Sequence, residues 1–276
     1  MPDELELTPN ADEVSRAVAG TLFAGQIRVV AVVESTNDEL RRRAAEGAPD
    51  GSVVLADRQT AGRGRRGRRW HSEAGLGLYL SVLFRLAQDT QPVTRWTLTA
   101  AVAACEACRE LTGVPVEIKW PNDLIHDGRK LGGILAELRT PGNGEAELVI
   151  GTGINVGHRS EDFPRQLAGL ATSLHRLSCG SMQRREALAG TYLRRLDERV
   201  TDLRCGRWER IACEFERLSP GSRGAAVRVR TDESNVAHEI HGVTHGLDPS
   251  GALLVLGEDG QTTVVRMADA VRPLED

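Results

Sequence analysis

Two hydrophobic periods alternate along this chain, and the switches between them outline its elements. Residues 11–24 carry Val14, Val18, Leu22 and Phe23 at helical spacing, with Asn10 placed as N-cap and Glu13 three residues on, an Asn version of the capping box. The β-branched run 27–33 predicts a strand. Ser35-Thr36-Asn37 then opens a helix that Gly47 ends. Short strands follow at 52–56 and 76–84. Residues 92–111, rich in alanine, form the longest predicted helix, with Gly113 and Pro115 as its stop. Beyond it lie a strand at 116–119, a turn at Trp120-Pro121-Asn122-Asp123, and strands at 131–138 and 148–156. The first of these two is entered from an Asp127-Gly128 hairpin turn. Helical spacing returns at 182–203 and 207–217.

Ser219-Pro220-Gly221 breaks this texture. Four short strands follow, at 227–230, 239–246, 252–256 and 262–266, with turns at 248–251 and 258–260. The expected architecture is α+β: a mixed α+β domain over residues 1–218 and a small antiparallel barrel of SH3-like size over residues 219–276.

Composition narrows the class. An apolar share of 40% and a charged share of 27% over 276 residues suit a soluble globular chain. A formal net charge of -4 argues against a nucleic-acid coat. Residues 1–10 are acidic and lack the apolar stretch of a secretory signal, and no apolar run is long enough for a bilayer. Five cysteines without framework spacing point to a reducing compartment, hence the cytoplasm.

Against that balanced background, Gly62-Arg63-Gly64-Arg65-Arg66-Gly67-Arg68-Arg69-Trp70 stands out: five of nine residues are arginine and three glycine. Permanent cations with planar donor forks suit phosphate and carboxylate, and glycine lets backbone approach a ligand. The segment reads as a mobile loop that holds an anion, with Trp70 available to stack on a ring. The same glycines spell G-x-G-x-x-G, but no apolar helix follows, as a dinucleotide fold requires. A solvated basic loop and an RNA-binding arginine patch are the other readings.

Lys119-Trp120-Pro121-Asn122-Asp123 sets a cation and a carboxylate at a strand end, which taken alone is most simply a polar turn with a structural ion pair. Lys130-Leu131-Gly132-Gly133-Ile134-Leu135 and Gly151-Thr152-Gly153-Ile154-Asn155 place glycines in apolar strands, where backbone approaches a ligand or forms a bulge. Cys105-Glu106-Ala107-Cys108 lies inside the alanine-rich helix with no second pair at zinc spacing, so packing accounts for it. His238 falls on the opposite strand face from His241 and His245, which argues against a shared metal. Walker A, G-x-S-x-G and H-E-x-x-H sequences are all missing.

Together, in order, Glu34-Ser35-Thr36-Asn37, Gln59 to Arg68, Lys119 to Asp123, Lys130 to Leu135 and Gly151 to Asn155 resemble the biotin protein ligases, the biotin–[acetyl-CoA-carboxylase] ligases. The resemblance runs from about residue 27 to the C-terminus. It implies a catalytic domain of the class II aminoacyl-tRNA synthetase type and an SH3-like second domain. The implied activity is formation of biotinyl-5′-adenylate from biotin and MgATP, then transfer of biotin to one lysine of a biotin carboxyl carrier domain. Only about 26 residues precede the first predicted strand, so a monofunctional ligase without an N-terminal DNA-binding domain is expected, with no DNA or membrane partner, as monomer or homodimer.

The resemblance also implies roles. Arg65, Lys119, Asp123 and Lys130 would be catalytic. Ser35, Thr36, Asn37, Gln59, Gly62, Arg63, Lys130, Gly133, Ile134 and Gly151 would bind biotin. Arg65, Arg68, Trp70, Lys119, Asn155 and Arg272 would bind the nucleotide, and Mg²⁺ would hold the pyrophosphate through ligands the sequence does not identify. Asp123 would orient or deprotonate the carrier lysine. The arginine loop would order over the adenylate, and Arg65→Gly would release it. Gly132 departs from a common alanine, and His71 matches no assigned role. A lipoate–protein ligase and a basic-loop nucleic-acid binder are the alternatives.

Overall fold

The computed structural model describes residues 8–87, 91–142, 145–178, 184–233, 236–266 and 270–273. Helix α1 (Ala11–Ala17) is capped as the sequence implies: Asn10 accepts from the amides of Asp12 and Glu13. Only half of the box forms. Glu13 pairs with Arg184 at 2.6 Å, and Glu186 takes the Asn10 amide instead. The helix stops short of Ala24 because Thr21 Oγ1 donates to the Val18 carbonyl and accepts the Phe23 amide, which favours turns over helix. Val18 and Phe23 stay buried all the same.

Seven strands form one mixed sheet, in the order β1 (Ile27–Val33), β2 (Val53–Gln59), β3 (Gly77–Ala87), β7 (Glu145–Asn155), β6 (Arg129–Arg139), β5 (Asp123–His126) and β4 (Glu117–Lys119). The β1–β2 pair is parallel and the rest are antiparallel. Helix α2 (Thr36–Ala45) is the crossover between β1 and β2 and packs Leu40 and Ala44 against Val54, Leu83 and Val149 on one face. The opposite face carries α3 (Val93–Thr112), α5 (Arg185–Arg204) and α6 (Trp208–Leu218), which with the sheet bury the main core. A short helix, α4 (Leu174–Leu177), follows the long segment after β7.

Gly113, at φ 67, closes α3 in the left-handed conformation, and Asp127 (φ 47) and Gly128 (φ 72) make the β5–β6 hairpin turn. Cys105 and Cys108 both lie buried in α3, and burial pushes both thiols up, Cys105 to about 12.

The C-terminal strands β8 (Arg223–Glu233), β9 (Val236–Leu247), β10 (Leu253–Leu256), β11 (Thr262–Val265) and β12 (Ala270–Pro273) form an antiparallel sheet in the order β11-β10-β9-β8-β12. Among the described residues its two end strands do not pair, so the barrel is not closed. The sequence pattern does not show β12. The β9–β10 turn plugs into the larger sheet's helical layer. The Gly251 carbonyl accepts from Trp120 Nε1 at 3.1 Å, and Arg95 donates to the Pro249 carbonyl while stacking on Trp208. This turn therefore supports the β4–β5 turn that carries Lys119 and Asp123. Of the three histidines, His241 pairs with Glu239, and His238 has no described side chain. Among the described residues no group of potential ligands could hold a metal ion, and no helix is long and apolar enough to cross a membrane.

Candidate active site

One face of the sheet is made nearly bare by its glycines. Gly151 and Gly153 alternate along β7, and Gly133 lies opposite Gly153 on β6, so all three face the same side. Each serves a different purpose. A Cβ on Gly151 would sit 2.2 Å from Asn37 Oδ1, and one on Gly153 would sit 2.7 Å from the Trp70 indole. A Cβ on Gly133 would meet its neighbours only at 3.4 Å or beyond, so nothing in the protein itself forbids it. The space at Gly133 is left as an open slot in the cavity.

The N-terminus of α2 walls one end of that slot. Ser35, Thr36 and Asn37 are buried polar residues joined by hydrogen bonds. The Thr36 amide and hydroxyl both donate to Gln59 Oε1, at 2.9 and 3.1 Å, and Gln59 Nε2 donates to Ser72. Asn37 Nδ2 donates to Glu137 at 2.7 Å, while its Oδ1 lies 2.6 Å from Ser81 Oγ. This end offers amide and hydroxyl groups in fixed orientations, suited to a neutral polar ring.

The basic loop covers the cavity as a lid. It leaves at Gly62 and returns at Trp70, whose amide donates to the Gly62 carbonyl at 2.9 Å, with a bridge between Arg63 and Arg69. Its tip is a single turn, Arg65–Gly67. Arg65 is drawn inward and donates to Asn122 Oδ1 at 3.2 Å, and burial lowers its pKa. Trp70 lies on Gly153, with Lys130 Nζ 5.7 Å from its ring centre. Among the described residues Trp70 Nε1 is buried without an acceptor, a donor left over at the cavity wall.

Lys119, Asp123 and Lys130 meet between the two ends. The β4–β5 and β5–β6 pairings bring Lys119 opposite Asp123 and Asp123 opposite Gly133. Lys130 Nζ donates to Asp123 Oδ1 at 2.6 Å, whereas Lys119 is exposed. Asn122 fixes this corner: its Nδ2 donates to the Ile134 carbonyl and its own carbonyl accepts the Ile134 amide.

The far wall comes from residues 157–172, which are stitched to β6 by the Lys130 amide to the Leu170 carbonyl and the Thr172 amide to the Lys130 carbonyl. Asn155 Nδ2 donates to the Thr172 carbonyl at 3.0 Å. Phe163, Leu167, Leu170 and Ala171 give this end an apolar surface. Behind Phe163, at 4.9 Å and nearly parallel, lies the fully buried His158, whose pKa burial depresses to about 4.

These walls enclose one cavity of about 480 Å³. Its lining includes Ser35, Thr36, Asn37, Gln59, Arg63, Arg65, Arg68, Trp70, Lys119, Asp123, Lys130, Gly133, Ile134, Gly151 and Asn155. Three of the expected positions have contacts of their own. Gly62 does not line it; a Cβ there would press on Ser72 and the Trp70 carbonyl, so this glycine packs the lid's root. Ile134 lines the cavity and is also part of the buried core. Both terminal nitrogens of Arg63 are spent on Asp38, at 2.5 and 2.7 Å. Arg272 pairs with Arg228 in β12, and its side chain lies outside the described residues. Asn122, Gly153, His71 and the 157–172 wall carry no assignment in the sequence reading; for Gly153 the G-x-G alternation on one strand face was the available signal.

A mixed sheet thus carries a cavity with a cationic lid, a polar slot at one end and an aromatic, apolar wall at the other, the layout of a ligase domain that handles anions. The comparisons agree. Residues 29–155 match the Biotin/lipoate A/B protein ligase family. The biotin–[acetyl-CoA-carboxylase] ligase of Mycobacterium tuberculosis is 35% identical, over 98% of this chain and 99% of its own. The bifunctional ligase/repressor BirA of Bacillus subtilis is 34% identical, over 83% of this chain and 69% of its own length. The biotin protein ligase from Aquifex aeolicus, solved in complex with biotin and ATP, superposes with a TM-score of 0.77 at 28% identity, covering 90% of this chain and 99% of that one. The chain belongs to the biotin protein ligase family.

Proposed function

We propose that this biotin protein ligase carries out both half-reactions in the 480 Å³ cavity, with biotin at the α2 end and the nucleotide under Trp70. The observation that carries this assignment is the placement of Lys119, Lys130 and Arg65 between a neutral polar slot and an apolar wall. Biotin's ureido ring suits Ser35, Thr36 and Gln59, whose groups are already oriented. Adenine suits Trp70 and the Phe163–Ala171 wall, with the unpartnered Trp70 Nε1 as a free donor.

The biotin carboxylate and the ATP α-phosphate are both anions and repel until cations screen them. A carboxylate oxygen attacks the α-phosphorus, the bond to pyrophosphate breaks, and an acyl phosphate forms. The carrier lysine then attacks the acyl carbon and AMP leaves with the bonding pair. Asp123 offers its Oδ1 to Lys130, and its other oxygen is the group that orients the incoming amine. Among the described residues Asp123 is the sole carboxylate lining the cavity. The lining therefore suits Mg²⁺ as an ion carried on the phosphates, where it would supply positive charge to offset theirs. Residues 219–276 are the second domain, and its β9–β10 turn braces the Lys119–Asp123 turn through the Trp120 hydrogen bond to Gly251. The acceptor is a biotin carboxyl carrier domain.

Incubation with biotin and MgATP, followed by mass spectrometry, should yield biotinyl-5′-AMP, and lipoate in place of biotin should yield no adenylate. A lipoyl-adenylate without a biotinyl one would overturn the substrate assignment.

A further inference from the structure

The lid is held differently at its two ends. The returning end rests on Trp70 against Gly153 and on His71 Nε2, 3.2 Å from the Asp162 carbonyl. The outgoing end carries Arg63, which meets Asp38 fork to fork: Nη1 to Oδ2 at 2.5 Å and Nη2 to Oδ1 at 2.7 Å. Asp38 lies in the first turn of α2, directly after Thr36 and Asn37. Arg41 also binds Asp38 and reaches Glu137 at 3.3 Å, whose second oxygen accepts Asn37 Nδ2 at 2.7 Å. An unbroken run of charged hydrogen bonds thus joins the lid to the polar end of the cavity. The Arg63 hydrogen bonds hold the Asp38 carboxyl below its ordinary range, as expected of a lasting ion pair.

This geometry changes the meaning of Arg63. With both terminal nitrogens on one carboxylate, its charge is largely neutralised and little is left for a ligand anion. Arg65, two residues on, has no carboxylate within salt-bridge distance among the described residues and is drawn inward to Asn122.

We propose that Asp38 is a positioning residue that anchors the lid through Arg63 and so sets how long the adenylate is retained. The proposal rests on the reading above that the lid covers the adenylate. Without the anchor, the outgoing end of the lid lifts more often, and activated biotin escapes before a carrier lysine arrives. Since α2 supplies both Asp38 and the polar end of the slot, filling that end steadies the anchor as well.

A double-mutant cycle on adenylate release tests this. Wild type, Asp38→Ala, Arg63→Ala and the double variant are loaded with biotin and MgATP, and release of biotinyl-5′-AMP is followed after a chase. Each single change should speed release roughly three- to tenfold, the range expected for one partly exposed bidentate pair. The double variant should release no faster than the quicker single one. Asp38→Glu should recover much of the retention. If Asp38→Ala does not fold, the near-isosteric Asp38→Asn takes its place. Release unchanged in the Asp38 variant, or effects that multiply in the double variant, would overturn the anchor. A wild-type chain that forms no adenylate would overturn the underlying reading instead, so the two failures are told apart.

Discussion

Gly151→Ala should cripple binding at the polar end while sparing the nucleotide. The new Cβ would stand 2.2 Å from Asn37 Oδ1, when ordinary contact begins at 3.4 Å, so the amide must retreat by about 1.2 Å. Asn37 cannot move freely. Its Nδ2 is tied to Glu137 at 2.7 Å and its Oδ1 to Ser81 at 2.6 Å, and the residue is 4% exposed. At least one of those buried hydrogen bonds must break, leaving a partner unsatisfied at a cost of about 1–3 kcal/mol. If that loss falls on the slot, biotin affinity drops roughly 5- to 150-fold. The nucleotide wall shares no side chain with this network, so the KM for ATP should change less than about twofold. Biotin and ATP titrations of adenylate formation, with circular dichroism to confirm folding, measure both. Adding Asn37→Ala removes the clashing amide and should reverse the steric part. A folded Gly151→Ala variant whose KM for biotin stays within about twofold of wild type would refute the packing argument.

Three further outcomes follow from the same geometry. Arg65→Gly removes the inward cation and its bond to Asn122, so adenylate should leave at least about tenfold faster and label bystander lysines; a charge-assisted bond is worth enough for that. Asp123→Asn should slow transfer from preformed adenylate about 10- to 100-fold, measured in a single turnover with carrier domain, because the amine loses its carboxylate; unchanged transfer would remove the orienting role. His158 stays neutral down to about pH 4 in the folded chain but protonates near 6.5 when unfolded. Its contribution is therefore fully present above pH 6.5 and fades as pH falls, by about 2 kcal/mol at pH 5. Urea unfolding of wild type and His158→Leu should show that slope in the former alone.

Much of this was legible from residue order. The β-branched run became β1 over Ile27–Val33, and the alanine-rich stretch became α3 with Gly113 as its left-handed stop. Local rules decide such elements: one period, one cap, one breaker. Strand β5 was hidden inside what reads as turn chemistry, because Asp123 looks like a loop residue until β4 and β6 flank it. The wall at 157–172 has no period to detect; it is shaped by backbone bonds to Lys130, far away in sequence. Arg63 shows the limit most plainly. Its place in the motif points to the ligand, and only the fold reveals that Asp38 on α2 takes both its nitrogens. By contrast the cation–carboxylate pair was legible in kind but not in partner: the sequence places Lys119 beside Asp123, and the structure pairs Lys130 with it.

A crystal structure with a non-hydrolysable biotinyl-adenylate analogue tests the central assignment most directly. The ureido ring should lie on Ser35, Thr36 and Gln59, the adenine against Trp70 and the Phe163–Ala171 wall, and the acyl phosphate mimic between Arg65, Lys119 and Lys130. An adenine seated against α2, or an analogue bound outside this cavity, would contradict the account.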